Sequence, residues 1–213
     1  MSNLNIILPH SSNLNAIKSN GPRALYTVGH STVLDEQITS LNHIFNNPNI
    51  IVIAGFKYKK IRNHIKHYPN VSIVDNQLYE NTNELYAINL GIDGLKDNVL
   101  IIENNTLPKK TTFAQFKRAD SQLFISKTQK FELGCIIDTD GYISNISWGL
   151  PNYWANISFF KNQEFELLKN IAANKLSARW FLVEAINWII KQQGKFSIKE
   201  IKSQLKIVNK INV

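Results

Sequence analysis

Val99-Leu-Ile-Ile102 is a run of four apolar residues that breaks at once into Glu103-Asn-Asn105. In a half-exposed strand every second side chain meets water, so an unbroken run this apolar predicts a strand buried on both faces. Ile50-Ile-Val-Ile-Ala54 repeats the pattern. Two such strands restrict the chain to a sheet with layers on both sides. In sheets of that kind ligands gather beyond the carboxyl ends of the strands, where the chain order reverses. Glu103, Asn104 and Asn105 are therefore the first place to look for chemistry.

Spacing predicts alternating elements around these runs. Residues 4–8 read as a short strand ended by Pro9, and residues 10–21, rich in Ser and Asn, as a loop. Residues 22–29 are extended. Leu34, Ile38, Leu41 and Phe45 recur at helical spacing, with Ser31 or Thr32 as cap. Residues 59–67 form a basic helix with Ile61 and Ile65 inward, and residues 71–74 a strand. After a loop at 76–83, residues 84–91 form a helix with Leu85, Ile88 and Leu90 inward. The fold class this predicts is α/β and Rossmann-like, a mainly parallel sheet with flanking helices.

The second half changes character. Residues 131–137 and 142–147 flank Asp138-Thr-Asp-Gly141, which predicts an antiparallel hairpin. Trp148, Trp154, Phe159 and Phe160 form an aromatic cluster beyond it. Helices are expected at 164–173, 178–192 and 198–208. Ser197-Ile-Lys-Glu200 announces the last as a capping box, and Ile198, Ile201, Leu205 and Val208 supply its stripe. With no repeat and no linker, residues 1–213 read as a single domain.

Lys and Arg outnumber Asp and Glu by 24 to 16, a net charge of +8. The lysines are spread along the chain, which fits a solvated surface better than a nucleic-acid footprint, and a polyphosphate site accounts for part of the excess. A single cysteine, Cys135, excludes an internal disulfide and offers no zinc pattern; inside a strand pattern it reads as buried and inert. The apolar runs are too short to span a membrane, and the first residues lack the pattern of a signal peptide. The expectation is a cytoplasmic protein without membrane or nucleic-acid partners.

Several segments together carry a resemblance. Asn5-Ile-Ile-Leu8, Gly21-Pro-Arg-Ala-Leu-Tyr-Thr-Val-Gly29, Leu34-Asp-Glu-Gln-Ile-Thr-Ser-Leu41, Ile51-Val-Ile-Ala-Gly-Phe-Lys57 and Asn81-Thr-Asn-Glu-Leu-Tyr86 stand in an order and spacing that resemble small nucleotidyltransferases of the sugar-phosphate and choline-phosphate type. The likeness implies a nucleotide-binding half at 1–110 and an acceptor-side half with C-terminal helices at 111–213. It also implies Mg²⁺ if the protein is active and no cofactor otherwise. The implied partners are a nucleoside triphosphate and a small phosphorylated acceptor, with a protein partner or a second copy left open.

The departures fall on the chemistry. The family's loop uses glycines so that backbone N–H groups can approach the triphosphate, and an Arg to hold it. Here the stretch is Pro9-His-Ser-Ser-Asn-Leu-Asn15, with Asn15 where the Arg belongs. Arg23 replaces the family's Lys, and Asn105 its metal-binding Asp. An amide oxygen can coordinate Mg²⁺ but brings no charge to offset dehydration.

The resemblance assigns catalytic positions to Arg23, Asn105 and Glu103, and substrate contacts to Ser11, Ser12, Asn15, Lys57, Asn83 and Tyr86. Lys18 is a further basic group for a phosphate. Glu103, Asn105 and Glu184 are the candidate metal ligands. The competing readings are a strand-end carboxylate for Glu103, a helix cap for Asn83, core packing for Tyr86 and a helix-face ion pair for Glu184. Asp138 and Asp140 read as turn residues. The five histidines show no carboxylate-paired pattern, and His64 and His67 read as surface. Three losses at one site favour an impaired enzyme. An active enzyme with an altered metal site and a non-catalytic binding module remain as alternatives.

Overall fold

A computed structural model describes residues 4–11, 21–103, 106–202 and 204–207. Thirteen strands and five helices are assigned among them. Strands β1 (Asn5–His10), β4 (Asn49–Ala54), β5 (Val71–Asp75) and β6 (Val99–Ile102) form the parallel centre, in the order β6-β1-β4-β5. The register sets Ile7 between Ile51 and Ile101. Two minor strands, β2 (Thr27–Val28) and β3 (Ser31–Thr32), pair with each other.

The apolar runs alternate between two cores. Ile7, Ile51, Ile53, Val99 and Ile101 face one layer, while Ile6, Leu8, Ile50, Val52, Leu100 and Ile102 face the other. Both faces are covered, and no polar residue interrupts the runs. On the second face lie α1 (Val33–Ile44) and α2 (Tyr58–Ile65). The first packs against α3 (Glu84–Ile92), α4 (Asn162–Ala172) and α5 (Leu182–Lys191). Thr32 caps α1 by accepting from the Asp35 N–H at 3.2 Å. Ile61 and Ile65 are the buried residues of α2, as their spacing requires.

The second half extends the same sheet. After the short β7 (Thr106–Leu107) come β8 (Gln122–Ser126), β9 (Leu133–Ile137), β10 (Ile143–Trp148) and β11 (Tyr153–Phe160). The β9–β10 hairpin forms as expected. Asp138 shapes its turn, with Oδ1 accepting from the N–H groups of Asp140 and Tyr142. β11 lies antiparallel to β6 and also pairs with β8 and β9.

Four expectations need correction. β1 runs through Pro9 to His10; its pairing with β6 ends at Ile7, so one edge is open where Pro9 removes a donor. The aromatic cluster is divided between two strands: Trp154, Phe159 and Phe160 lie in β11, buried, whereas Trp148 ends β10 and is exposed. Residues 178–181 are loop, and α5 begins at Leu182.

The fourth correction is that Ser197–Glu200 is a strand, β12, parallel to β8, and Lys206–Ile207 is β13, paired with β7. The residues of the expected capping box serve this pairing instead. The Ser197 N–H donates to the Ser121 carbonyl, and Glu200 meets Lys127 at 3.0 Å. Ile201 and Leu205 are buried as expected, but against the sheet rather than on a helix stripe.

Candidate functional site at the switch point of the sheet

From β1 the chain steps outward through β4 to β5, then returns to the opposite side of β1 as β6. The crevice at the carboxyl ends of β1 and β6 is therefore the topological switch point. His10 and Ser11 border it from β1 and Glu103 from β6; the segments 55–57 and 76–83 and the turn before α5 surround it.

His10 is buried, and its Nε2 lies 2.8 Å from Gln37 Oε1. Gln37 Nε2 donates in turn to the Thr106 carbonyl at 2.9 Å. With the amide so oriented, Nε2 of His10 carries the proton. Burial pulls its pKa down from 6.5 to about 4, against the opposing hydrogen bond to Gln37. One buried chain of contacts thus links the end of β1, helix α1 and the segment that follows β6.

Ser11 is buried and accepts from Asn76 Nδ2 at 3.1 Å. Asn76 also accepts from the Leu78 N–H, and Thr82 Oγ1 donates to the Leu78 carbonyl, which folds residues 76–83 onto themselves. Asn83 stands at the cap position of α3 but does not cap it. Its Nδ2 donates to the Arg179 carbonyl at 2.5 Å, while its N–H donates to the Ala178 carbonyl. The 178–182 turn is tied to the start of α3 in this way, and the Leu85 N–H adds a bond to the Trp180 carbonyl.

Two carboxyl groups face this region. Glu84, in the first turn of α3, accepts from the Leu182 N–H at 3.1 Å. Burial pushes its pKa up to about 7, against the lowering effect of that bond. Glu103 is raised well above the usual carboxylate range, first by burial and then by the charges of Glu84 and Glu132. Among the described residues neither carboxylate has an ion-pair partner. Beside Glu103, strand β11 bulges between Trp154 and Ser158, and Asn156 adopts φ 58°. Its carbonyl accepts from the Glu103 N–H at 3.0 Å, which fixes the tip of β6.

The other expected residues are dispersed. Arg23 lies in a 3-10 turn, Arg23–Leu25, half-exposed. Lys57 is exposed with φ 55°, its ammonium 5.2 Å from the Phe56 ring centre. Tyr86 is half-buried on α3. Glu184 is exposed and accepts from the Phe181 N–H at 2.7 Å, a cap at the start of α5. Ser12, Asn15, Lys18, Asn104 and Asn105 lie outside the described residues.

Among the described residues no three His, Cys, Asp or Glu side chains come together as a metal cage. Mg²⁺ commonly takes only one or two protein carboxylates and completes its shell with phosphates and water. The unpaired carboxyls of Glu84 and Glu103 suit a group that brings positive charge.

Sequence reasoning passed over Glu84, Gln37, Asn76 and Asn156. Glu84 carried a usable signal, an acid directly after the Thr82-Asn83 pair; the others show their roles only through partners distant in sequence. His64 also differs from its surface reading. Its Nε2 is 2.7 Å from Asp35 Oδ2, and Tyr68 donates to the same carboxylate at 3.1 Å. Burial raises the pKa of Asp35, but the bonds from Thr32, His64 and Tyr68 together with the His64 charge outweigh it and hold the carboxyl low. Cys135 is buried, its thiol pushed up to about 12 by burial.

No family model and no curated protein matches the chain. Solved structures do. A CTP:phosphocholine cytidylyltransferase from Streptococcus pneumoniae superposes with a TM-score of 0.77 at 17% identity, over 99% of this chain and 95% of that one. An inositol-1-phosphate CTP transferase from T. maritima gives 0.77 at 13%, over 97% and 89%. A putative glucose-1-phosphate thymidylyltransferase from Bacillus anthracis gives 0.75 at 16%, over 97% and 90%. The chain has the nucleotidyltransferase fold over almost its whole length. At these identities the likeness establishes architecture alone.

Proposed function

We propose that this protein is a divergent, catalytically impaired nucleotidyltransferase. Its ancestral reaction moves a nucleoside monophosphate from a triphosphate to a small phosphorylated acceptor. The observation that carries the reading is the switch-point crevice, lined by Ser11, Glu84, Glu103 and the tied 76–83 and 178–182 segments. Residues 1–110 form the nucleotide-binding half and residues 111–213 the acceptor side.

In this reading Arg23 and Lys57 neutralise phosphate charge, while Ser11, Ser12 and Asn15 line the loop that meets the triphosphate. Asn83 and Tyr86 contact the base, sugar or acceptor. Glu103, Asn105 and Glu184 would hold Mg²⁺, whose contribution when bound is to neutralise charge on the phosphates. Transfer needs the acceptor phosphate in line with the α-phosphate, so the protein mainly positions and neutralises. Of the two acceptor chemistries, choline phosphate is favoured, because its quaternary ammonium supplies the positive partner that Glu84 and Glu103 lack.

Impairment rests on the loop without glycine, Asn15 in place of Arg and Asn105 in place of Asp. Non-glycine residues disfavour the φ > 0 positions that aim successive N–H groups at one anion. A thermal-shift screen against nucleoside triphosphates, with and without Mg²⁺, tests the reading. Small shifts in the wild type, with tighter Mg²⁺ binding but no turnover in Asn105→Asp, are expected. Micromolar binding dependent on Mg²⁺ in the wild type would favour an active enzyme with an altered metal site, with Glu103 as its carboxylate.

A further inference from the structure

Five large apolar side chains are exposed among the described residues, and three of them belong to the rim of the crevice. Leu176 is 87% exposed, Phe181 54% and Leu78 49%. They come from two loops that touch. The 76–83 turn leads into Asn83, whose amide and N–H bond the carbonyls of Arg179 and Ala178. A third segment continues the row, since the Phe56 ring lies 6.4 Å from that of Tyr79.

Cationic side chains alternate with these apolar ones. Lys175 precedes Leu176, Arg179 stands between Leu176 and Phe181, and Lys57 follows Phe56; all three are exposed. None forms an ion pair among the described residues. The acids on the same rim are engaged in part: Glu80 accepts from the Tyr79 hydroxyl and Glu184 from the Phe181 N–H. Past Lys57, helix α2 adds exposed Lys59, Lys60 and Arg62, with no acid in its first turn.

We infer that this rim docks on a bilayer bearing anionic phospholipids, with the crevice facing the lipid headgroups. Leu176 and Phe181 stand on one loop with Lys175 and Arg179, and Phe56 stands beside Lys57, so apolar tips and cations without ion-pair partners among the described residues share this rim. Such tips suit a soft planar surface: the apolar groups enter the headgroup boundary while the cations meet lipid phosphates. Among the described residues no helix is long and apolar enough to cross a membrane, and the inferred contact is a peripheral one. The inference does not depend on catalytic competence.

Co-sedimentation with vesicles tests it. Vesicles of phosphatidylcholine with phosphatidylglycerol should retain the protein at low salt, and retention should weaken as salt rises; phosphatidylcholine alone should retain little. Leu176→Glu with Phe181→Glu, and separately Lys175→Glu with Arg179→Glu, should each lower the partition by about tenfold or more. Lys110→Glu with Lys117→Glu, an equal change of charge on other exposed residues, should lower it far less. Melting curves confirm that each variant is folded. The inference is overturned if anionic vesicles retain nothing at low salt, or if the control pair matters as much as the rim pairs. Concentration-dependent self-association that the rim variants abolish, without vesicle binding, would also overturn it and assign the rim to a second copy of the chain.

Discussion

At His10 the imidazole is buried with Gln37 as its partner, and its pKa falls from 6.5 to about 4. The folded state therefore excludes the proton that the unfolded chain binds readily. The stability this neutral ring permits is fully present above pH 6.5 and is lost as pH falls toward 4, by about 3 kcal/mol at most. Glu84 acts in the opposite sense. Its carboxyl is pushed up from 4.5 to about 7, so its contribution is full below pH 4.5 and is lost as pH rises through 7. Bulk stability curves mix the two, whereas a comparison with His10→Gln separates them. The wild type should lose its advantage over that variant as the pH drops from 7 to 4, read as urea midpoints. A gap that stays constant across this range would show that the ring titrates as it does in water.

Among elements, the turn after β4 and the β12 segment make the sharpest demands. A Cβ at Gly55 would sit 2.4 Å from Cβ of Tyr79, closer than any two such carbons approach. Gly55→Ala must therefore push the 76–83 segment away from β4. The expected cost is about 1–3 kcal/mol of overpacking, with faster amide exchange at Leu78 and Thr82 as the local readout. In β12 the pattern Ile198, Ile201, Leu205 has helical spacing, yet Ser197–Glu200 pairs with β8. Each residue of a strand satisfies its backbone through a neighbour that spacing within the segment cannot reveal. Ile201 is 2% exposed against the α1–α2 face core. Ile201→Ala should cost about 2–5 kcal/mol by denaturant unfolding, as expected for a packed core position rather than a frayed tail.

At the scale of the molecule, β8 is held between β11 on one edge and β12 on the other. Leu123, Phe124 and Ile125 in its middle are fully buried. Ending the chain at residue 194 removes β12 and leaves this strand with a long unpaired apolar edge. Such a truncation should aggregate, seen as void-volume material in size exclusion. The switch-point geometry depends on the same wholeness, because β11 ties the second half of the chain to the tip of β6 through the Asn156–Glu103 bond.

What the sequence determined by itself was the parallel centre. The runs at 50–54 and 99–102 admit water on neither face, and the helices between them show their buried stripes at 3.6 spacing. It also located the switch point, since Glu103 follows directly on the last buried residue of β6. Tertiary structure alone decided β8, β11 and β12, whose partners lie far along the chain, and it decided which polar groups meet in the crevice. Glu84 with Leu182, Asn83 with Arg179 and Gln37 with Thr106 are pairs separated by tens of residues. Periodicity reports which face of an element is buried. It does not say which other element does the burying, and the charges and hydrogen bonds of the site are set by that second choice.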